Sequence, residues 1–147
     1  MTVSKMKKAV WSTFAQYIKY RDAQWFDGEL KCRCVTCGVL LGVDEPTLHA
    51  GHFLDSRCKG ILFDDRGVHS QCASCNVFKH GNKDAYWPFM LQEYGQEVID
   101  QLTKQKHANN QSWTIHELRD TADLYENLLA ERKKQLEASR TTRSAAN

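Results

Sequence analysis

The sequence predicts an α+β chain: a small core of two short strands and a helix, built around cysteine knuckles, between an N-terminal helix and a run of C-terminal helices. Three observations predict it. Apolar residues recur at helical spacing over residues 4 to 24 and again after Trp113. Two Cys-x-x-Cys pairs, Cys34/Cys37 and Cys72/Cys75, stand 34 residues apart. Between them lie short apolar runs at 39–41 and 47–53 that are too short for helices.

Taken in order, Met6, Val10, Phe14, Tyr17 and Ile18 share one face of a first helix, with Lys7, Lys8 and Lys19 mostly on others. The Asp27-Gly28 turn signals its end. Residues 31–38 then pack Cys32, Cys34 and Cys37 into a knuckle that leads into a strand at 39–41. A second strand spans 47–53, and the charged, glycine-bearing stretch 55–67 is a loop returning the chain to Cys72 and Cys75. A short helix follows over 73–80 and stops at Gly81. Asp84 caps the next helix, which accommodates Pro88 near its first turn and ends at Gly95. Residues 96–106 form another helix. After a polar loop at 108–112, Thr114 and Glu117 make a capping box with Trp113 and Leu118 as a hydrophobic staple. The stripe Leu118, Ala122, Tyr125, Leu129 then fades into Lys133, Lys134, Arg140 and Arg143. The organisation is a single domain: an N-terminal helix (1–30), a metal-bound core (31–83), a helical region (84–138) and a flexible basic tail (139–147).

Composition excludes several classes. With 147 residues, 41% hydrophobic and 26% charged, the chain has the makeup of a globular domain and not of a disordered or collagen-like one. No apolar run approaches the roughly 18 residues a membrane span needs, and residues 1–8 lead into no signal-peptide core. The expected location is a reducing cytoplasm, where clustered cysteines more often bind metal than pair as disulfides. The net charge of +2 hides an uneven distribution: residues 1–37 carry seven basic and three acidic groups, residues 84–130 three and eight, and residues 131–147 five and two. Basic ends flanking an acidic helical region suit a polyanion, though such charges also serve simply as a solvated face.

Two knuckles of identical spacing supply four thiolates to one tetrahedral site, so Cys34, Cys37, Cys72 and Cys75 are expected to hold a structural zinc. A closed four-thiolate site leaves no position for substrate, and its contribution is folding. Cys32 and Cys58 remain as small buried hydrophobes. Other polar groups cluster in the same segment: His49 and His52 on the second strand, His69 before the second knuckle, and Asn76 with His80. On a helix, positions 76 and 80 share a face and could share a divalent ion or a phosphate.

The knuckle, the Gly51-His52 strand and the returning Cys72-Ala-Ser-Cys75-Asn76-Val-Phe-Lys79 resemble the HNH, or ββα-metal, nucleases built on a treble-clef zinc scaffold. More narrowly, the succession Tyr20-Arg21-Asp22, Cys34-Val-Thr-Cys37-Gly38, Ala50-Gly51-His52-Phe53, Val68-His69-Ser-Gln71-Cys72, Cys75-Asn76, Gly81-Asn82 and Tyr94-Gly95 is similar to the lambdoid phage NinG (Rap) recombination-nuclease family, over residues 11–113. The resemblance implies a metal-dependent endonuclease of phage recombination in the host cytoplasm, acting on branched DNA such as four-way junctions and D-loops. It makes His52 the general base. Asn76 and His80 would hold Mg²⁺ or Mn²⁺ against the scissile phosphate, with His49 a further catalytic candidate. A neutral imidazole suits that base role near neutral pH.

Two positions depart from the HNH pattern: Gly67 stands where a central Asn would orient the base, and Gly51 where a metal ligand often precedes it. His49 or Asp65 are the candidates to substitute. Arg57, Lys59, Arg66, Lys79 and Lys83 are the expected DNA contacts around the site, joined by Lys5, Lys7, Lys8 and Lys19 of the first helix. Paired cuts would need two sites, and the apolar stripes over 84–136 could serve a homodimer or simply close the core. The alternative reading is a noncatalytic zinc-binding DNA-binding or adaptor protein with a degenerate HNH site. A thioredoxin-like redox protein is disfavoured, since the thiols are committed to metal and alternating strand–helix units are missing.

Overall fold

The computed structural model describes residues 1–55, 58–108 and 111–146, with side chains as far as Arg140. Arg57 and positions 109 and 110 of the polar loop lie outside the described residues. The architecture is α+β, as the patterning predicts.

Helix α1 (Val3–Asp22) starts where the Thr2 hydroxyl accepts the Lys5 N–H, and it buries Val10, Phe14 and Ile18 along one line. The chain then makes an unexpected hairpin. Strands β1 (Gln24–Phe26) and β2 (Glu29–Arg33) pair across Asp27-Gly28, both at positive φ (49° and 81°), so this dipeptide closes a hairpin and does not merely end the helix. Strand β3 (Leu40–Gly42) adds to β2, giving the order β1-β2-β3 with the first knuckle between β2 and β3. Strand β4 (Leu48–His52) pairs antiparallel with β5 (Val68–Cys72), setting Leu48 opposite Cys72 and His52 opposite Val68.

Strand β5 is buried along its whole length, including the polar His69, Ser70 and Gln71. Its backbone and the His69 ring are bonded from distant segments, whereas Ser70 Oγ and Gln71 Oε1 are buried without a hydrogen-bond partner among the described residues. Arg21 donates to the carbonyls of Asp65 (2.6 Å) and Val68 (2.8 Å), while Asp22 accepts the Ser70 N–H (2.9 Å). The end of α1 is thereby clamped onto the strand. A wide helical turn (Ser74–Phe78), closed by Lys79 N–H to the Ser74 carbonyl, follows directly.

Helix α2 (Lys83–Tyr94) is preceded by Asn82 in the left-handed region, so Asp84 lies inside the helix and is not its cap. Pro88 consequently falls in the second turn, where its ring nitrogen cannot donate to the Asp84 carbonyl. Helix α3 (Gln96–Ala108) follows the Gly95 turn, and α4 (Ile115–Ala146) closes the fold. The capping box forms as predicted: Thr114 Oγ1 accepts the Glu117 N–H (3.1 Å) and Glu117 accepts the Thr114 N–H (2.9 Å). Helix α4 continues through most of the segment read as a basic tail, and its buried line is Leu118, Tyr125 and Leu136. One core joins α1, α4, Leu62, Phe63 and Val68, with Phe14 edge-on to Tyr125 at 4.7 Å. A second joins α2 and α3 to Phe53 and Ile61. None of the described helices is long and apolar enough to cross a membrane.

Candidate functional site

The two knuckles converge. The Sγ atoms of Cys34, Cys37, Cys72 and Cys75 all lie within 4.8 Å of one another, with Cys37 and Cys72 3.7 Å apart. Four sulfurs bound tetrahedrally to one zinc at about 2.3 Å would sit about 3.8 Å apart, so the donor set and its spacing fit. Ionisation is unevenly distributed over the four. Burial opposes it at Cys34, but hydrogen bonds from the Thr36 hydroxyl and nearby backbone N–H groups bring that thiol down to about 6. Cys72 is pushed up to about 12 by burial and by its thiol neighbours. A cluster in which each further thiolate is resisted by the last is one that a divalent cation stabilises. Cys75 Sγ also accepts the Asn82 amide (3.4 Å), which ties the metal centre to the start of α2.

Beside this centre lies a cleft of about 970 Å³. One wall is α1, presenting Lys7, Lys8, Trp11 and Lys19; the other is β4 and the turn after Cys75, presenting His49, His52 and Asn76. His52 Nε2 lies 3.1 Å from the Leu62 carbonyl oxygen. A carbonyl only accepts, so in the neutral ring Nε2 carries the proton and Nδ1 the lone pair. The Trp11 indole stacks on the same ring, with centroids 5.1 Å apart and planes 16° from parallel. Asn76 Nδ2 donates to His49 Nδ1 (3.1 Å), coupling strand and turn across the floor.

Of the two glycines, Gly51 has a structural explanation, whereas a Cβ at Gly67 would meet only Leu102 at ordinary contact distance. Gly67 uses its carbonyl to accept the Phe53 N–H (2.8 Å), and the Leu62 carbonyl bonds the His52 ring where a side-chain amide was expected. At Gly51 a Cβ would lie 2.0 Å from Gln71 Oε1 and 3.0 Å from Asn76 Oδ1. These two side chains close over the strand, leaving no room there for a metal ligand.

Behind β4 runs a buried relay. The Tyr86 hydroxyl donates its proton to the Gly51 carbonyl (2.8 Å), so its 3.1 Å contact with His69 Nδ1 requires that nitrogen to be the donor. His69 Nε2 then accepts from the Tyr94 hydroxyl (2.9 Å). Burial, reinforced by the Arg21 charge, pushes His69 down to about 4 and keeps it neutral. The succession Tyr20-Arg21-Asp22, Val68 to Cys72 and Tyr94-Gly95, scattered in sequence, thus supplies most of one network that fixes β4 and β5 against each other.

Not every expected site residue joins the cleft. The helical turn ends at Phe78, so Asn76 and His80 do not share a helix face; His80 is exposed at φ 49° and does not line the cleft. Asp65 also lies elsewhere, its carbonyl bonded to Arg21. Lys59, its side chain only 11% exposed, is held by Glu117 at 2.6 Å and lies over the Trp113 ring. Arg66 is engaged by Asp64, Gln101 and Gln105. Lys83 donates to the His52 and Phe53 carbonyls and pairs with Asp55. These three cations are parts of the fold, while Lys79 is exposed. Cys32 is buried, donates to the Lys19 carbonyl (3.1 Å) and is pushed up to about 11 by burial; Cys58 donates to the Lys106 carbonyl (3.2 Å). Sequence reasoning missed Trp11, Gln71 and Tyr86. Trp11 stands one turn beyond Lys7 on the predicted helix, which was the one available signal.

A family model described as the bacteriophage lambda NinG protein matches residues 2–137. The chain is 32% identical to protein ninG of Escherichia phage 933W over 97 residues, 65% of this chain and 46% of that protein. It is 31% identical to protein ninG of Escherichia phage lambda and 29% identical to that of Salmonella phage P22, each over 114 residues, 77% of this chain and 50% of the relative. The chain spans about half the length of the curated relatives it matches. No solved structure matches it.

Proposed function

The chain belongs to the bacteriophage NinG family, and from that premise we propose that its cleft is the site of a metal-dependent endonuclease acting on branched DNA. The observation that carries the reading is the cleft itself, in which His49, His52 and Asn76 face a wall bearing Lys7, Lys8 and Lys19. The β4–β5 pair followed at once by a helical turn, bracketed by the cysteine knuckles, supports a ββα-metal core on a treble-clef scaffold.

In this reading the α1 lysines bind the phosphate backbone without reading bases. His52, fixed by the Leu62 carbonyl and the Trp11 ring, takes the proton of a water attacking phosphorus. Asn76 holds its position through His49 and offers its amide oxygen to a cation. Among the described residues the cysteine cluster is the one group of three or more His, Cys, Asp or Glu able to share an ion. A catalytic ion would therefore have few protein donors, which suits magnesium, an ion that keeps several waters and leans on substrate phosphate. When bound, Mg²⁺ or Mn²⁺ would stabilise charge on the scissile phosphate and leaving oxygen.

The test is cleavage of a labelled four-way junction and a matched linear duplex with Mg²⁺, with Mn²⁺ and with EDTA, by the wild type and His52→Ala. Metal-dependent cutting of the junction that His52→Ala abolishes, with the fold retained by circular dichroism, is expected. Tight junction binding with no cutting under either metal would overturn the nuclease and leave a zinc-folded DNA-binding protein.

A further inference from the structure

Among the large hydrophobic side chains, Phe78 is exceeded in exposure only by the terminal Met1: it is 78% exposed, and its neighbour Val77 is 51% exposed. A single exposed apolar residue is ordinary on a protein surface. The setting of this one is not. Phe78 ends the turn that begins at the second knuckle, and Asn76 before it and Gly81 after it both line the cleft. The backbone that carries Phe78 therefore runs between two residues of the cleft, with the ring itself outside its lining.

The backbone that presents it is locked. Lys79 N–H donates to Ser74, Gly81 N–H to Cys75 and Asn82 N–H to Lys79, at 2.9, 2.8 and 2.9 Å. His80, Gly81 and Asn82 are successively left-handed, at φ 49°, 91° and 49°. Two of the three are not glycine, an arrangement that persists only where surrounding contacts over-determine it. Asn82 supplies one such contact by donating to Cys75 Sγ. The backbone that carries the aromatic is thus fixed beside the cysteine cluster and the exposed Lys79, and the ring makes no contact with another aromatic among the described residues.

An exposed aromatic on a fixed backbone, next to a cation and close along the chain to residues that line a lysine-bearing cleft, has the chemistry of a base-stacking platform. In a continuous duplex every base face is covered by its neighbours, whereas a branch point exposes or loosens them. We propose that Phe78 stacks on an unstacked nucleobase at the branch of the bound DNA and that this contact gives the site its preference for branched over linear substrate. The proposal rests on the reading of the cleft as a DNA site. It concerns binding and adds no step to the chemistry.

The experiment is equilibrium binding of the full chain, zinc-loaded and in Mg²⁺-free buffer so that nothing is cut, to a four-way junction carrying 2-aminopurine at the branch and to a linear duplex of the same sequence. Phe78→Ala is expected to weaken junction binding about 5- to 150-fold, the range of one base–aromatic stack, and to leave duplex binding within about twofold. Phe78→Trp should restore junction affinity and Phe78→Leu should not. The 2-aminopurine emission change produced by the wild type should disappear in Phe78→Ala. No weakening, equal weakening on both DNAs, or full affinity in Phe78→Leu overturns the proposal. Parallel assays with Mg²⁺ separate the two readings. Phe78-dependent junction preference without cutting sinks the nuclease and keeps the stacking site; cutting that is indifferent to Phe78→Ala does the reverse. A wild type that binds neither DNA overturns both.

Discussion

Gly51→Ala is expected to be among the most damaging single-methyl additions to this chain. The new Cβ would stand 2.0 Å from Gln71 Oε1 and 2.9 Å from its Cδ, so the amide must move by more than about 1 Å to reach ordinary contact. Gln71 is fully buried, and its Nε2 donates to the Gly81 carbonyl (2.8 Å) and the Thr36 hydroxyl (3.1 Å). Disturbing one buried and one half-buried hydrogen bond costs about 1–3 kcal/mol, and overpacking adds about 1–3 kcal/mol. The entropy the unfolded chain loses with alanine offsets about 0.4–1 kcal/mol. The net is a destabilisation of about 1–5.5 kcal/mol, a sizeable part of a domain's usual margin of about 5–15. Urea unfolding at fixed zinc, read as a fall in midpoint at constant slope, measures it. Gln71→Ala should make room for the methyl, so the double variant should be less destabilised than the sum of the singles by about 1 kcal/mol or more. A Gly51→Ala protein within about 1 kcal/mol of wild type, or strict additivity in the cycle, would refute the claim that Gln71 is pinned over the strand.

Other consequences follow from the same geometry. With Cys72 pushed up to about 12 and Cys37 also raised above its ordinary value, both are thiols at pH 7.5, so zinc binding should release at least two protons; calorimetry in buffers of different ionisation enthalpy counts them, and a release below one refutes the four-thiolate site. His69 titrates near 6.5 when unfolded and at about 4 when buried, so the unfolded chain binds more protons in that window and stability is lost as pH falls from about 6.5 to 4, by on the order of 3 kcal/mol. His69→Gln should lack that component in pH-resolved denaturation, and an unchanged pH profile would contradict the buried neutral assignment. Lys8→Ala and Lys19→Ala should each reduce the slope of log affinity against log salt by about 0.9 without altering sequence preference. Lys59→Met should leave that slope alone and lower the melting temperature, because the cation is held by Glu117 and Trp113.

Much of this could be read from the chain before any coordinates. The two knuckles announce a tetrahedral thiolate site, because Cys-x-x-Cys is a local geometry that few residues fix. The lysine-bearing face of α1 and the capping box that starts α4 were legible for the same reason: each depends on neighbours within a turn. His52, between the knuckles, and Asn76, directly after the second, could be singled out as candidates from their places beside the cysteines. Strand β5 could not be recognised, since Val-His-Ser-Gln-Cys has a polar composition and becomes an interior strand only when Arg21, Asp22, Tyr86 and Tyr94 arrive to bond its backbone and the His69 ring. His80 was misplaced because nothing in the sequence says that the turn closes one residue wide and stops at Phe78.

What the sequence by itself determined is the four-cysteine cluster, the main helices and the identity of the polar groups that line the cleft. Only the tertiary structure decided what orients them. The bond to His52 comes from a backbone carbonyl at Leu62, a group every residue possesses and no residue type signals, and the stack on its ring comes from Trp11, 41 positions away along the chain. The division is physical: short-range spacing is written in side-chain identity, whereas backbone acceptors and long-range ring contacts exist only once the elements that carry them have packed.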